Sequence, residues 1–115
     1  MKLQIIYDNK ALNNFKARWG FSCFIAVNEK KILFDTGWNG FVLLNNMKTA
    51  GINPEEIDII VISHQHWDHI GGLNHVLEYT RNPDVYFPES VSENLKNEVK
   101  NQANIVEVSQ ARKVC

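Results

Sequence analysis

Four side chains with metal-binding chemistry fall within six residues, His64-Gln65-His66-Trp67-Asp68-His69, and they include three of the four histidines of the chain. In extended chain, side chains at i and i+2 point the same way. His64 and His66 can therefore converge on one ion as two neutral imidazoles. Asp68 and His69 are adjacent and would diverge on a strand; if the chain turns into a helix there, both can face a second ion. Two neighbouring metals polarise a substrate oxygen and lower the pKa of a bridging water. Imidazoles with a hard carboxylate suit zinc, manganese or iron. Gly71-Gly72 lets the backbone turn tightly behind the ligands.

A lone histidine is usually a surface residue, but a cluster this dense behind a buried strand points to a metal site. His75 lies outside the cluster and reads as an exposed or capped residue of the next helix. Trp67 reads as packing around the site. Cys23 sits in an expected strand and reads as a small buried apolar side chain. Cys115 is the last residue, so the two cysteines suggest neither a disulfide framework nor a CxxC site.

The cluster needs elements to position it. Ile57-Asp58-Ile59-Ile60-Val61-Ile62 is apolar except for Asp58, as expected for a strand covered on both faces. A βα loop at the carboxyl end of such a strand is where open α/β sheets place their sites. Upstream, residues 2–8 alternate as a strand, and 9–20 read as a loop. The runs 21–27 and 31–35 form a hairpin around Asn28-Glu29-Lys30. Phe41, Leu44, Met47 and Ala50 predict a helix ending near Gly51, and Asn53-Pro54-Glu55-Glu56 a capped turn. Downstream, Leu73, Val76, Leu77 and Thr80 predict a helix and Val85-Tyr86-Phe87 a strand. Ser90-Val91-Ser92-Glu93 reads as a capping box opening a helix with Val91, Leu95 and Val99 on its apolar face. Ile105 to Val108 closes the pattern β-ββ-α-β-α-β-α-β, an α/β architecture with a mixed sheet and crossover helices.

The bulk composition agrees. A chain of 115 residues is one domain's length, and 44% hydrophobic with 22% charged residues is globular. A net charge of -1, with scattered basic residues, gives no electrostatic case for nucleic acid or an anionic membrane. No apolar run approaches the roughly 18 residues of a membrane helix. A cytoplasmic, reducing location fits.

Ser63-His64-Gln65-His66-Trp67-Asp68-His69-Ile70-Gly71-Gly72 resembles the HxHxDH signature of the metallo-β-lactamase superfamily, trailing glycines included. Phe34-Asp35-Thr36-Gly37 resembles the DTG segment of the same superfamily. Tyr7-Asp8-Asn9 and Gly20-Phe21-Ser22 are similar to the branch of dihydropterin–ribofuranosylaminobenzene phosphate synthases. The resemblance covers essentially the whole chain. It implies a binuclear site, two zinc ions with manganese or iron as alternatives, with His64 and His66 on the first metal and Asp68 and His69 on the second. It implies that Asp68 orients the nucleophilic water and that Asp35 holds the ligand loop without being a ligand. The flavin-linked diiron members carry HxExDH; His66 stands in place of that Glu, which favours a hydrolase. The implied reaction is attack of metal-activated water on an ester, thioester or phosphorylated small molecule.

The resemblance also implies an N-terminal half of an αββα sandwich, so residues 1–115 are expected to form a single, incomplete metallo-β-lactamase-like domain. The superfamily draws further ligands from a second half, and residues 70–115 contain one more histidine, His75. One sheet face should then be left apolar and open. The expected partner is a second copy or a complementing C-terminal half. The alternative function is a truncated, non-catalytic metal-binding half-domain.

Overall fold

The computed structural model describes residues 2–7, 22–37, 40–63, 72–89 and 91–108. Six strands form one sheet in the order β1-β2-β3-β4-β5-β6. They are β1 Lys2–Tyr7, β2 Ser22–Val27, β3 Lys30–Phe34, β4 Ile59–Val61, β5 Asp84–Pro88 and β6 Asn104–Val108. Among the described residues three α-helices alternate with them, α1 Gly40–Thr49, α2 Leu73–Leu77 and α3 Glu93–Val99, with a 3-10 helix at Pro54–Glu56. The β1–β2 and β2–β3 pairs are antiparallel, and β3 to β6 are mutually parallel. Each parallel step contains a described α-helix, so the expected α/β architecture with a mixed sheet is what the chain forms.

Pairing register explains which side chains are buried together. Phe24, Leu33, Ile60, Val85 and Ile105 lie opposite one another across β2 to β6. That row packs against Val42, Leu43 and Met47 of α1, Leu73, Val76 and Leu77 of α2, and Val99 of α3. All three helices therefore cover the same face. The other face carries Ile5, Cys23, Phe34, Val61, Tyr86 and Val106 in one row, and Leu3, Ile25, Ile32 and Ile59 in the next. Cys23, Ile32 and Ile59 are buried there, whereas Leu3 is 58% and Ile5 47% exposed. The strand expected at 57–62 forms as β4, Ile59–Val61, buried on both faces at Ile59 and Ile60. Among the described residues the second face is open toward the β1 edge, and its apolar side chains on β2 to β6 are buried or half-buried.

Several element ends differ from the sequence pattern for local reasons. The hairpin turn is two residues long: Asn28 and Glu29 have φ of 51° and 65°, and Lys30 already pairs with Val27. Positive φ at both positions is the type I′ geometry that matches strand twist. Helix α1 ends as expected near Gly51, whose φ is 77°. There the N–H of Ile52 donates to Met47 O and that of Gly51 to Lys48 O, a Schellman closure.

Helix α2 stops at Leu77, short of Thr80, because the Thr80 hydroxyl donates to Leu77 O and the N–H groups of Glu78 and Tyr79 turn back to His75 O and Val76 O. The last turn is therefore of the tighter i→i+3 kind. Helix α3 is capped by Ser92, which accepts from Leu95 N–H, so it opens at Glu93 and not at the expected box on Ser90; Ser90 lies outside the described residues. Val91 precedes the helix yet is buried.

Lys96 is a buried cation that the apolar periodicity of this helix does not reveal. Its Nζ lies 2.8 Å from Glu107 Oε1 and 3.5 Å from Glu93 Oε1, and it donates to Glu89 O at 3.3 Å. The Glu107 carboxylate raises its pKa against the opposing effect of burial. The side chain ties α3 to β6, where an apolar residue could only pack.

Candidate functional site

The candidate site grows from the carboxyl ends of β3 and β4. Phe34 ends β3 opposite Val61, and the next residue on each strand leaves the ladder. Asp35 does so with φ 59°, in the left-handed region that Asp tolerates better than most residues. Its N–H donates to Val61 O at 2.8 Å, and its carbonyl accepts the Ser22 hydroxyl at 2.6 Å. Its side chain is fully buried and reaches Ser63, two residues past β4. Asp35 Oδ1 accepts the Ser63 N–H at 2.8 Å and Oδ2 the Ser63 hydroxyl at 2.7 Å. Hydrogen bonds to an ionised carboxylate are about twice as strong as neutral ones. Backbone and side chain of Ser63 are thus both tied to one interior carboxylate.

The downstream end is tied to the same loop. Gly72 N–H donates to Gly37 O at 3.0 Å. A Cβ on Gly72 would stand 2.5 Å from Thr36 O and 3.2 Å from Gly40 Cα, so no larger residue fits without moving backbone. Residues 35–37 therefore hold both ends of the segment between Ser63 and Gly72.

That segment contains His64, His66, Trp67, Asp68 and His69, and all five lie outside the described residues. Asp35 is described, and its carboxylate engages the residue immediately before His64. His75, expected on the surface or at a cap, is half-buried. Its ring packs at 4.1 Å and 58° against Phe41 of α1, a neighbour that sequence spacing could not supply. Among the described residues no group of three or more His, Cys, Asp or Glu converges. A cavity of about 580 Å³ beside α1, lined in part by Phe41, Leu44, Lys48 and Tyr79, contains none of the candidate residues.

Two serines that hold Asp35 carry no signal in composition or periodicity. Ser63 stands beside the cluster, and a buried aspartate must find donors, which is the one hint available. Ser22 could be found only from the strand pairing. Chemically, three imidazoles and a carboxylate on a segment anchored at both ends fit a divalent cation of the zinc, manganese or iron type.

Comparison with known proteins bears on this arrangement. The family model described as the metallo-beta-lactamase superfamily matches residues 20–109. The chain is 43% identical over 76 residues to the uncharacterized protein MJ0448 of Methanocaldococcus jannaschii, covering 66% of this chain and 29% of that protein. It is 46% identical over 63 residues to the 7,8-dihydropterin-6-methyl-4-(beta-D-ribofuranosyl)-aminobenzene-5'-phosphate synthase of the same organism, covering 51% of this chain and 21% of that enzyme. Among solved structures, Tm1679, described as a metal-dependent hydrolase of the beta-lactamase superfamily, superposes with a TM-score of 0.69 at 27% identity. The match covers 94% of this chain and 42% of that one. The chain thus spans less than half the length of each of these relatives.

Proposed function

Because this chain belongs to the metallo-β-lactamase superfamily, we propose that it is a metal-dependent hydrolase acting on an ester, thioester or phosphorylated small molecule. His64 and His66 would hold a first metal and Asp68 and His69 a second, with zinc the first choice and manganese or iron fitting the same donors. Such a pair, when bound, supplies Lewis-acid polarisation of a substrate oxygen and a water of lowered pKa. Asp68 would orient the attacking water, and Asp35 would hold the ligand segment in register. No described helix is long and apolar enough to cross a membrane, and a cytoplasmic location remains part of the proposal.

The single observation that carries this reading is the pair of hydrogen bonds from Ser63 to the buried Asp35 carboxylate. An interior carboxylate aimed at the residue preceding the first ligand is the kind of support that fixes ligand geometry. Removing such support typically lowers metal affinity 10–100-fold.

A second reading is that residues 1–115 bind metal without turnover of their own and act only together with a second copy or a complementing C-terminal half. The apolar sheet face, with Leu3 and Ile5 at its open edge, is where that partner would pack.

One experiment separates the two. The protein is dialysed against a mild chelator, its metal content measured, and its activity tested on phosphodiester, phosphomonoester and thioester substrates in the presence of added zinc or manganese. Retained stoichiometric metal with activity lost in His66→Ala supports the hydrolase. No turnover under metal-replete conditions moves the reading to the half-domain, and a protein that binds no metal rejects both.

A further inference from the structure

We propose that Ser22 is a positioning residue for the ligand-bearing segment, acting through the backbone of Asp35; this rests on the metal-site reading of residues 64–69. Ser22 is fully buried and shares its side of β2 with Phe24 and Ala26, both part of the helix-covered core. An apolar side chain would be expected at such a position, because a buried hydroxyl is unfavourable unless it finds a partner. Its partner is Asp35 O at 2.6 Å.

Two features indicate that this bond sets the loop. The β1–β2 register shifts here, with Ile5 opposite Cys23 but Tyr7 opposite Ser22. An extra residue of this kind re-aims neighbouring side chains and is common beside functional sites. Second, Asp35 is held at φ 59°, a conformation that persists when its surroundings over-determine it. Ser22 fixes the peptide plane between Asp35 and Thr36. On one side of that plane stands the carboxylate that binds Ser63; on the other begins the Thr36-Gly37 backbone that contacts Gly72. One hydroxyl on the antiparallel side of the sheet therefore governs both anchors of the segment.

The test compares Ser22→Ala, Ser22→Thr and Cys23→Ala in the full chain. Cys23→Ala removes one heavy atom from the adjacent buried position on the opposite face. Two quantities are measured: amide hydrogen exchange at Ser63 relative to Ile60 in metal-free protein, and zinc affinity by competition with a chromophoric chelator. Ser22→Ala should speed Ser63 exchange relative to Ile60 by about two- to tenfold, the range for losing one neutral hydrogen bond. It should also weaken zinc binding about 10–100-fold, as loss of ligand support does. Ser22→Thr, which keeps the hydroxyl, should restore both toward wild type.

Equal acceleration at Ser63 and Ile60, or the same loss of zinc affinity in Cys23→Ala, overturns the proposal. If Ser22→Ala does not fold, Ser22→Cys, whose thiol is a weak donor, takes its place with the same expected direction. A wild type that binds no zinc defeats the metal-site reading itself, and the Ser63 exchange ratio then still decides whether Ser22 sets Asp35.

Discussion

Replacing Asp35 should separate the two roles that its geometry assigns to it. The carboxylate receives two hydrogen bonds from Ser63, at 2.8 and 2.7 Å, in a fully buried setting. Hydrogen bonds to charged groups contribute about 1.5–3 kcal/mol each, but two bonds within one contact do not add in full. Their joint loss should come to roughly 3 kcal/mol. Glycine offsets part of this loss, because φ 59° is about 1 kcal/mol easier without the Cβ that aspartate and alanine both carry.

Asp35→Ala should therefore destabilise by about 3 kcal/mol and Asp35→Gly by about 2. Asp35→Asn keeps one carbonyl acceptor and tolerates the left-handed conformation, so about 1–2 kcal/mol is expected. Equilibrium urea unfolding with a shared slope measures all three. A loss below about 1 kcal/mol in Asp35→Ala would refute the anchoring role, being less than one such bond contributes. Asp35→Gly less stable than Asp35→Ala would refute the strain argument. Because a domain of this size holds only about 5–15 kcal/mol in total, Asp35→Asn is the variant on which function is best followed.

Four further outcomes follow from other parts of the fold. Gly72→Ala should lower stability by about 1–3 kcal/mol in thermal or urea unfolding, since the new methyl would meet Thr36 O at 2.5 Å. Gly51→Ala, with nothing within 4 Å but φ 77°, should lose only about 1 kcal/mol. Lys96 has a folded pKa raised above 10.5, mainly by its hydrogen bond to Glu107. Its contribution is full below the unfolded pKa and is lost as pH rises through the higher folded value. Wild type should then lose more stability above pH 10.5 than Lys96→Met does, and parallel alkaline curves would contradict the clamp. Finally, Leu3→Lys with Ile5→Lys, both at the open edge of the sheet, should halve the mass seen by light scattering if two copies pair through that face. A wild type that is already monomeric excludes the paired form.

Much of the fold was legible because local periodicity and turn chemistry agree with it. Apolar spacing in 41–50 and the glycine at 51 mark α1, and the run at 57–62, apolar except for Asp58, marks a central strand. Where the reading slipped, tertiary partners decided. Thr80 closes α2 early by taking Leu77 O, and Ser92 caps α3 in place of Ser90. Lys96 enters the interior only because Glu107, Glu93 and the Glu89 carbonyl meet it there.

The candidate site divides along the same line. By itself the sequence determined the candidate donor set: residue types and their spacing at His64, His66, Asp68 and His69 are covalent facts, and the resemblance to the family rests on them. It also singled out Asp35. Only the tertiary structure decided what Asp35 does, because its partners, Ser22 on β2 and Ser63 two residues past β4, are brought to it by the sheet rather than by chain proximity. The loop 35–37 likewise holds Gly72, so Ser63 and Gly72, which flank the candidate residues, are secured from one place. A hydrogen bond needs two groups within about 3 Å. For residues 13 and 28 positions apart in the chain, only the folded sheet brings them that close.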